Sequence, residues 1–351
     1  MNIKYWLRQL NTPSLLLNNI KYKLSPPQLV LPYAPLSLTL WICQRCNLKC
    51  EFCLRNIEGL WNRQQILPDM TMEIFKKIVA MFKTASSISF IGDGEPLLNR
   101  DFLDMVEYTL NFKRRISSIS LVTNGTLIDG AMAKKLILSN LSFIEISLKA
   151  VSPEDFQKTT KSPKVYYDRV IDGIKHLVAQ KKELKRDKRI ELSYVLSKSR
   201  LPSMLEVIEL ASSLNVDCLR FHNFIPYGKF NREGANEVLF SDDQEVVMFI
   251  QKLKKIPKKI EIIWPLLLRK NNYSWYCSSV FDTLIIDSRG CVAPCGQALP
   301  PPSPEYGNIF KDQNVWNSKH FVEARRCFLL QQKNKKDELP SWCKFCIQMS
   351  K

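Results

Sequence analysis

Cys46-Asn-Leu-Lys-Cys50-Glu-Phe-Cys53 places three cysteines at the spacing C-x₃-C-x₂-C, directly after a largely apolar segment, Leu36–Cys43, that is typical of a β-strand. Three thiolates on one short loop can bind three irons of a [4Fe–4S] cluster, which leaves the fourth iron open to a small molecule. Cys43 lies three residues earlier but falls inside the strand. The alternative is three buried or zinc-binding cysteines, although zinc sites usually combine C-x₂-C pairs with further Cys or His ligands. The spacing favours the cluster.

A glycine-rich turn follows the second predicted strand. The segment Ile88-Ser-Phe-Ile-Gly-Asp-Gly-Glu-Pro96, taken with the three cysteines, resembles the radical S-adenosylmethionine (SAM) superfamily, whose equivalent turn reads GGEP. The resemblance implies that the cysteines bind a [4Fe–4S] cluster and that its open iron chelates the amino and carboxylate groups of SAM. The cluster ligands implied in this way are Cys46, Cys50 and Cys53.

The same turn supplies residues for SAM itself. The resemblance implies that Asp93, Gly94 and Glu95 help to hold the methionine amino group. Asp93 stands where the family usually has a glycine, whereas Gly94 and Glu95 keep the family pattern. We therefore expect the turn to bind SAM despite the substitution.

Later positions also resemble SAM contacts of the family. The turn Thr123-Asn124-Gly125 resembles its TNG loop, and Ser147 lies in a segment that resembles its strand-four SLD sequence. Ser197 follows the fifth predicted strand. The resemblance implies that Asn124, Ser147 and Ser197 contact SAM. Lys149 replaces the family's Asp in the SLD segment, which changes the group that meets ribose or substrate.

Length and composition are those of an enzyme with a large core. The chain has 351 residues, of which 45% are hydrophobic. It has no apolar stretch long enough to span a bilayer and no signal-peptide pattern, so we expect a cytoplasmic protein. Eleven cysteines, an odd number with two groups at metal-ligand spacing, argue against a disulfide framework.

The formal net charge of +17 indicates affinity for anionic partners. No basic stripe interleaved with aromatic residues is present, so nucleic acid is an unlikely partner. The first 25 residues combine Trp6, Leu7 and Leu10 with several lysines. We interpret them as a helix that packs against the main domain, and the alternative is a helix on a membrane surface.

Predicted strands and helices alternate along the chain, which indicates repeated parallel β–α units. The predicted strands are Leu36–Cys43, Ile88–Ile91, Ile119–Thr123, Phe143–Leu148, Ile190–Leu196 and Cys218–Phe224, and the helices between them include Met72–Phe82, Phe102–Asn111, Tyr167–Lys181 and Met204–Leu214. Six units match the α/β fold of the radical SAM family, a partial (β/α)₆ TIM-like barrel. We expect an N-terminal helical extension at residues 1–35, the barrel at 36–270 and a small iron–sulfur extension at 271–351.

Strand alternation nominates side chains for the barrel interior. In Phe143–Lys149 and Cys218–His222 the apolar residues share one face, so the polar residues share the other. The polar sets are Glu145, Ser147 and Lys149 on one strand and Cys218, Arg220 and His222 on the other. We expect the basic members Lys149, Arg220 and His222 to transfer protons or to hold an anionic substrate.

A second cysteine set lies in the C-terminal third. Its members are Cys277, Cys295, Cys343 and Cys346, and the first two flank a predicted hairpin at Thr283–Val292 whose turn is Asp287–Gly290. The set resembles the SPASM and shorter Twitch domains of radical SAM enzymes, which implies one auxiliary [4Fe–4S] cluster closed by four ligands. A four-cysteine zinc site is the alternative. Cys291 and Cys327 are spare thiols that could replace an assigned ligand.

The resemblance implies a reaction class. A reduced cluster cleaves SAM to a 5′-deoxyadenosyl radical, which takes hydrogen from a substrate C–H bond, and an external flavodoxin- or ferredoxin-type protein supplies the electron. A single closed auxiliary cluster favours dehydrogenation of a small polar or anionic sugar- or cyclitol-like molecule.

Several other functions stay open. One is a maturase that crosslinks a ribosomally made peptide, although only about forty residues precede Cys46, where such enzymes often carry a leader-binding domain. Another is an epimerase with a cysteine hydrogen donor, for which Cys218 lies near the wrong end of its strand. Molybdenum-cofactor cyclisation fits less well, because the second cluster there has three cysteines. A scaffold without SAM chemistry is supported only by Asp93 and Lys149.

Overall fold

The chain forms two compact units. The computed structural model describes residues 13–53, 55, 67–112, 115–226, 234–268, 278–296, 298 and 301–331. The first unit draws on residues 1–45, 65–121 and 275–344, and the second on residues 46–64, 122–274 and 345–351.

Strands and helices alternate through both units, as the sequence predicts. The strands are β1 (Ser37–Trp41), β2 (Ser87–Phe90), β3 (Ser118–Thr123), β4 (Phe143–Ser147), β5 (Arg189–Leu196), β6 (Cys218–Asn223), β7 (Glu261–Ile263), β8 (Thr283–Asp287), β9 (Cys291–Ala293) and β10 (Ser303–Asn308). The α-helices are α1 (Pro13–Leu24), α2 (Met72–Met81), α3 (Phe102–Tyr108), α4 (Gly130–Leu138), α5 (Pro153–Thr160), α6 (Val165–Glu183), α7 (Met204–Ser213), α8 (Gln244–Lys254), α9 (Ser279–Asp282) and α10 (Lys319–Gln331). All six predicted strands and the four predicted helices are therefore confirmed.

In the first unit, β1 lies between two parallel neighbours. Ser37–Leu40 pairs with Ser87–Phe90 of β2, and Ser37–Trp41 pairs with Thr283–Asp287 of β8. The alternation that predicts this strand also fills the core, since Leu38 and Leu40 are 1% and 0% exposed. The β2 strand continues the parallel order by pairing with residues 118–121 of β3.

The predicted hairpin at Thr283–Val292 is present as β8 and β9, which pair antiparallel. Gly290 has a φ of +82° and donates its N–H to the Asp287 oxygen at 3.0 Å. That left-handed conformation explains the glycine in the turn. The sequence does not predict that β8 also extends the sheet at β1, because strand periodicity carries no information about a distant neighbour. The domain boundaries at 35/36 and 270/271 remain a prediction.

In the second unit, β4 to β7 are parallel and neighbours in chain order. Ile144 lies opposite Ile190, and Arg220 lies opposite both Ser193 and Ile263. The strands' carboxyl ends therefore share one edge, where residues 147–150, 196–198 and 223–224 follow them. Sites of β/α proteins form at this edge.

Helix α1 packs through one face against residues 33 and 34, whereas Trp6, Leu7 and Leu10 of the predicted N-terminal helix lie outside the described residues. Leu15, Asn18 and Asn19 are buried. The Asn18 amide accepts from Ala34 N at 2.8 Å and donates to Ala34 O at 3.0 Å, and the rings of Tyr22 and Tyr33 meet edge to face. Among the described residues, none of the helices has both the length and the apolar content of a membrane span.

A fully buried arginine joins an N-terminal and a C-terminal segment of the first unit. Arg325 of α10 donates to the carbonyl oxygens of Leu29, Val280 and Trp316 and to Asn317 Oδ1, at 2.7–3.1 Å. Its guanidinium also lies 4.6 Å from the centre of the Trp316 ring. Burial lowers the pKa of Arg325 to about 10, so the side chain is charged at pH 7. Neutral oxygens and the face of the Trp316 ring thus stabilise the buried positive charge of Arg325.

We expect Arg325→Ala to lower the free energy of unfolding by about 3 kcal/mol or more, because it leaves buried carbonyl oxygens without donors and opens a cavity. Urea unfolding followed by circular dichroism measures the loss. The neighbouring Arg326 is a matched control, since it is exposed and, within the part of the chain that the structure describes, forms an ion pair with Glu323 of its own helix. Arg326→Ala should cost less than about 0.5 kcal/mol, and equal losses for the two variants would contradict the prediction.

Candidate active site

The cysteine loop begins the second unit and is held by its backbone. Lys49 N donates to Thr160 O at 3.0 Å and Glu51 N donates to Thr159 O at 2.9 Å, at the carboxyl end of α5. Cys46, Cys50 and Cys53 are partly exposed, and none of them forms a disulfide. Main-chain hydrogen bonds to α5 therefore hold this loop in place.

Hydrogen-bond donors point at the first of these sulfurs. Leu48 N lies 3.5 Å and Asn124 Nδ2 lies 3.8 Å from Cys46 Sγ. N–H donors on cysteine sulfur stabilise the thiolate and tune the potential of a bound cluster. This donor set fits an iron–sulfur ligand. Within the described residues, no three Cys, His, Asp or Glu side chains converge on a single metal ion, an arrangement that a cluster with one cysteine per iron does not require.

A closed ring of side chains ties this loop to the turn after β3. Asn124 Nδ2 donates to Asn47 Oδ1 at 2.9 Å, Asn47 Nδ2 donates to Thr126 Oγ1 at 2.7 Å, and Thr126 Oγ1 donates to Asn124 Oδ1 at 2.6 Å. The sequence nominates Asn124 but misses Asn47 and Thr126. The sequence features that could have identified these two residues are the position of the Asn47 amide inside the cysteine motif and that of the Thr126 hydroxyl just after the Asn-Gly turn.

In the first unit, the glycine-rich turn after β2 lies against the extension of β1. Gly94 N donates to Cys43 O at 3.1 Å and Glu95 N donates to Arg45 O at 2.8 Å. A Cβ atom on Gly94 would lie 2.3 Å from Arg45 O and 2.5 Å from Cys43 O. Only glycine fits this approach. Glu95 is 2% exposed and its Oε1 accepts from Leu97 N, so the carboxylate also caps the next turn.

Two residues beside this turn were not nominated as site residues. Asn99 is buried and its Nδ2 donates to Ile42 O and Met70 O, both at 2.9 Å, which fixes the end of β1. Cys43 is buried, and its burial raises the pKa of the thiol to about 12. Cys43 Sγ lies 3.5 Å from Arg45 O as a protonated donor. This thiol is part of the packing of β1.

The polar residues predicted to share one face of β4 lie together. Ile144 and Ile146 are fully buried, whereas Glu145, Ser147 and Lys149 are partly accessible. Lys149 Nζ donates to Ser147 Oγ at 2.5 Å. The two residues thus form a hydroxyl–ammonium pair at the carboxyl end of the strand.

Arg200 fixes the backbone at that pair. Its Nη2 donates to Lys149 O at 2.5 Å and forms an ion pair with Asp155 at 3.3 Å, and its guanidinium lies 4.4 Å from the centre of the Tyr194 ring. Ser197, after β5, is buried and its Oγ lies 2.9 Å from Ser199 Oγ, which donates to Glu237 at 2.6 Å. Ser197 is therefore part of a hydrogen-bonded chain with Glu237.

Arg220 on β6 is neutralised by a carboxylate that the sequence did not single out. Arg220 Nε donates to Glu191 Oε1 at 2.5 Å, and Arg189 donates to Glu191 Oε2 at 3.3 Å. Burial would raise the pKa of Glu191, but the hydrogen bond and charge of Arg220 hold it below its ordinary value. Glu191 lies next to Arg220 only because β5 and β6 pair in the observed register.

The remaining groups on this wall have shifted pKa values. Burial, reinforced by the charge of Arg220, lowers the pKa of His222 to about 4, so the imidazole is neutral at pH 7. Burial raises the pKa of Glu145, and the nearby Glu191 carboxylate adds to the effect. Burial raises the pKa of Cys218 to about 12, so this fully buried sulfur is a thiol. We name Glu145, Glu191, Arg220, His222 and Lys149 the polar wall.

The auxiliary cysteine set is described only in part. Cys295 is partly exposed and follows β9, whereas Cys277, Cys343 and Cys346 lie outside the described residues. Cys291 is buried in β9 and its sulfur accepts from Asn308 Nδ2 at 3.5 Å. Cys327 lies in helix α10. A role for either spare thiol in the auxiliary cluster remains a prediction.

We expect Gly94→Ala to weaken SAM binding by at least about tenfold, because a misplacement of the order of 1 Å in a preorganised site has effects of this size. Equilibrium dialysis with radiolabelled SAM on the reconstituted protein measures the affinity. Gly130→Ala is the control, since its Cβ would meet only ordinary contacts at 3.8 Å. Unchanged SAM affinity in Gly94→Ala would show that the turn is not part of the SAM site.

We expect Arg220→Met to raise the pKa of His222 from about 4 towards 6.5, because it removes a repelling cation and frees the Glu191 carboxylate. The chain has only three histidines, so NMR of ¹³C-labelled histidine resolves the titration. Arg189→Met is the matched control, since Arg189 also contacts Glu191 but does not act on His222. A His222 titration that is the same in both variants would contradict the assigned cause.

Two family matches cover much of the chain. Residues 42–184 match the radical SAM superfamily, and residues 277–347 match SPASM, an iron–sulfur cluster-binding domain. A tungsten-containing aldehyde ferredoxin oxidoreductase cofactor-modifying protein of Pyrococcus furiosus is 26% identical over 223 residues, which are 62% of this chain and 59% of that protein. A probable GTP 3′,8-cyclase of Saccharolobus islandicus is 30% identical over 217 residues, 61% of this chain and 65% of that protein. The similarity thus spans less than two thirds of these curated relatives.

A solved structure matches nearly the whole chain. SuiB of Streptococcus suis, bound to its precursor peptide SuiA, matches with a TM-score of 0.63 and 18% identity over 96% of this chain and 75% of that one. The same protein bound to S-adenosylmethionine matches with a TM-score of 0.65 at 16% identity, over 96% of this chain and 76% of that one. At this identity the match concerns the fold. The two matches agree with the observed fold and with the sequence prediction, so the protein contains a radical SAM superfamily domain at residues 42–184 and a SPASM iron–sulfur cluster-binding domain at residues 277–347.

Proposed function

We propose that the protein dehydrogenates a small polar or anionic molecule of the sugar or cyclitol class by radical SAM chemistry. When bound, the cofactors supply a 5′-deoxyadenosyl radical as hydrogen-atom acceptor and, at the auxiliary cluster, a one-electron acceptor. Cys46, Cys50 and Cys53 would hold the first cluster, and Cys277, Cys295, Cys343 and Cys346 the auxiliary one. A flavodoxin- or ferredoxin-type protein would deliver the starting electron.

The reaction removes a hydrogen atom, a proton and an electron from the substrate. A secondary alcohol becomes a ketone when its carbon loses a hydrogen atom and its oxygen loses a proton, and the resulting ketyl radical then loses one electron. The hydrogen atom ends in 5′-deoxyadenosine. The proton is the part for which the protein's own side chains are responsible.

The polar wall carries the proposal. Its imidazole, His222, is neutral at pH 7 and can accept a proton as a weak base, because burial and the charge of Arg220 disfavour the imidazolium form. The cations of the wall provide counter-charge for an anionic substrate. Arg220 is already paired with Glu191 through Nε, so only its other nitrogens are available to a ligand. We assign proton acceptance to His222 and substrate binding to Arg220 and Lys149.

The remaining nominated residues would hold SAM. Gly94 and Glu95 offer a rigid turn with Asp93, and Asn124 lies beside Cys46. Ser147 and Ser197 offer hydroxyls at the carboxyl ends of β4 and β5. We assign these six residues to the methionine, ribose and carboxylate groups of SAM.

The names of the curated relatives agree with a small anionic substrate, since they refer to GTP and to a cofactor. A peptide maturase is the second candidate, because SuiB, whose fold matches most of this chain, was solved with a precursor peptide. An epimerase would use a thiol as hydrogen donor, and Cys218 is a buried thiol. These candidates differ in the size of the substrate and in the fate of its radical.

Metal content and product formation test the proposal in the same preparation. After anaerobic reconstitution we expect about eight irons per chain, falling to about four in Cys46→Ala/Cys50→Ala/Cys53→Ala and to about four in Cys343→Ala/Cys346→Ala. The first variant should make no 5′-deoxyadenosine. The second should still make it but should give no oxidised product, because the electron acceptor is lost. Full oxidation by the second variant would rule out the auxiliary cluster as the electron acceptor, and a parent protein that forms 5′-deoxyadenosine but no oxidised product would rule out the dehydrogenase.

The substrate class can be read from the label in 5′-deoxyadenosine. The reconstituted enzyme, SAM and dithionite are incubated with extracts of source-organism cells grown in deuterated medium, separated into small-molecule and peptide fractions. Deuterium from the small-molecule fraction supports the proposal, and deuterium only from the peptide fraction favours the maturase. When the assay is repeated with unlabelled extract in D₂O, solvent deuterium gained by an otherwise unoxidised product would identify the epimerase.

A further inference from the structure

Helix α1 carries a second apolar face in addition to the one that packs. Leu17, Ile20 and Leu24 are 54%, 38% and 78% exposed. They are three and four residues apart, so they lie on one side of the helix, opposite the buried residues 15, 18 and 19. We name Leu17, Ile20 and Leu24 the outer stripe. A packed helix with this composition on its solvent side is unusual, because the outer face of a surface helix is normally polar.

The charge around the outer stripe has one sign. Lys21 and Lys23 are exposed and, at 100° per residue, lie on its two flanks. Helix α1 contains no acidic residue. Residues 1–50 contain four lysines, two arginines and no Asp or Glu, although the chain has 34 acidic residues in all. The stripe therefore lies in a part of the sequence from which negative charge is missing.

We propose that the outer stripe binds the surface of a bilayer that contains anionic phospholipids. An apolar strip with lysines on both flanks fits the boundary between acyl chains and headgroups, because the lysine stems extend past the apolar side chains to reach phosphate. The opposite face is already packed against Ala34 and Tyr33, so α1 lies along the membrane plane. The helix is an interfacial contact and not a span.

A protein partner fits the same face less well. Three side chains of one twelve-residue helix offer far less than the roughly 800 Å² per partner of a stable protein interface. A fluid bilayer needs no shape complementarity, and each lysine near an anionic surface adds to binding. The membrane is therefore the occupant to which this small, basic and apolar face is matched.

Flotation of the reconstituted protein with vesicles of equal parts phosphatidylcholine and phosphatidylglycerol tests the proposal. We expect binding that decreases with added salt and is weak on vesicles of phosphatidylcholine alone. Leu17→Gln/Ile20→Gln/Leu24→Gln and Lys21→Glu/Lys23→Glu should each weaken binding by at least about tenfold. All five side chains are exposed, so the fold is retained, and SAM cleavage in the absence of lipid should equal that of the parent protein.

Met248→Gln is the matched control, because this apolar residue of α8 is 66% exposed but outside the stripe. It should bind vesicles like the parent. Equal binding by the parent, the triple Gln variant and the double Glu variant would overturn the proposal. Failure of the parent to float with the vesicles would also overturn it. A lipid-independent dimer of the parent that the triple Gln variant loses would also overturn it, because the stripe would then bind a second copy.

Discussion

The close approach of Gly94 to the backbone that follows β1 is the constraint on which the glycine-rich turn and the start of the cysteine loop depend. Two consecutive amides of the turn, at Gly94 and Glu95, donate to the carbonyl oxygens of Cys43 and Arg45. No side chain fits at Gly94 without displacing those oxygens. Cys46 follows Arg45 directly in the chain. Main-chain hydrogen bonds to Cys43 and Arg45 therefore restrict the position of the backbone from which the Cys46 side chain extends. A backbone position fixed in this way varies less than a position fixed by mobile side chains. A site for a reactive radical requires this kind of preorganisation.

The electrostatics of the second unit follow from one shared cation. Arg220 satisfies the Glu191 carboxylate, and its charge also disfavours protonation of His222. Glu145, with a raised pKa, lies on the same wall. The wall therefore combines a paired carboxylate, a carboxyl group that is easily protonated and a neutral imidazole on three adjacent strands. Groups whose environments separate their pKa values in this way are typical of sites that transfer protons.

The sequence predicts the parts of this protein that depend on local pattern. Alternation along Phe143–Ser147 and Cys218–Asn223 correctly identifies which side chains share a face, because a strand's period of two is a property of the backbone. The turn at Gly290 is equally local. What the sequence does not predict depends on which strands are neighbours. The pair between Glu191 and Arg220, the ring of Asn47, Asn124 and Thr126, and the pairing of β8 with β1 all join residues that are distant in sequence. The periodicity of one segment gives no information about which distant residues it will contact.

The contacts of Arg325 and β8 also determine when each unit can be completed on the ribosome. Strands β4 to β7 are consecutive in the chain, so the second unit's sheet can pair as soon as residues up to 263 have emerged. Strand β1 is made long before β8, which is one of its two neighbours, and the Leu29 carbonyl is made 296 residues before its donor Arg325. Contacts of such large sequence separation form slowly. One edge of β1 therefore stays unpaired until β8 has been made, and an unpaired strand edge is a site of aggregation during folding.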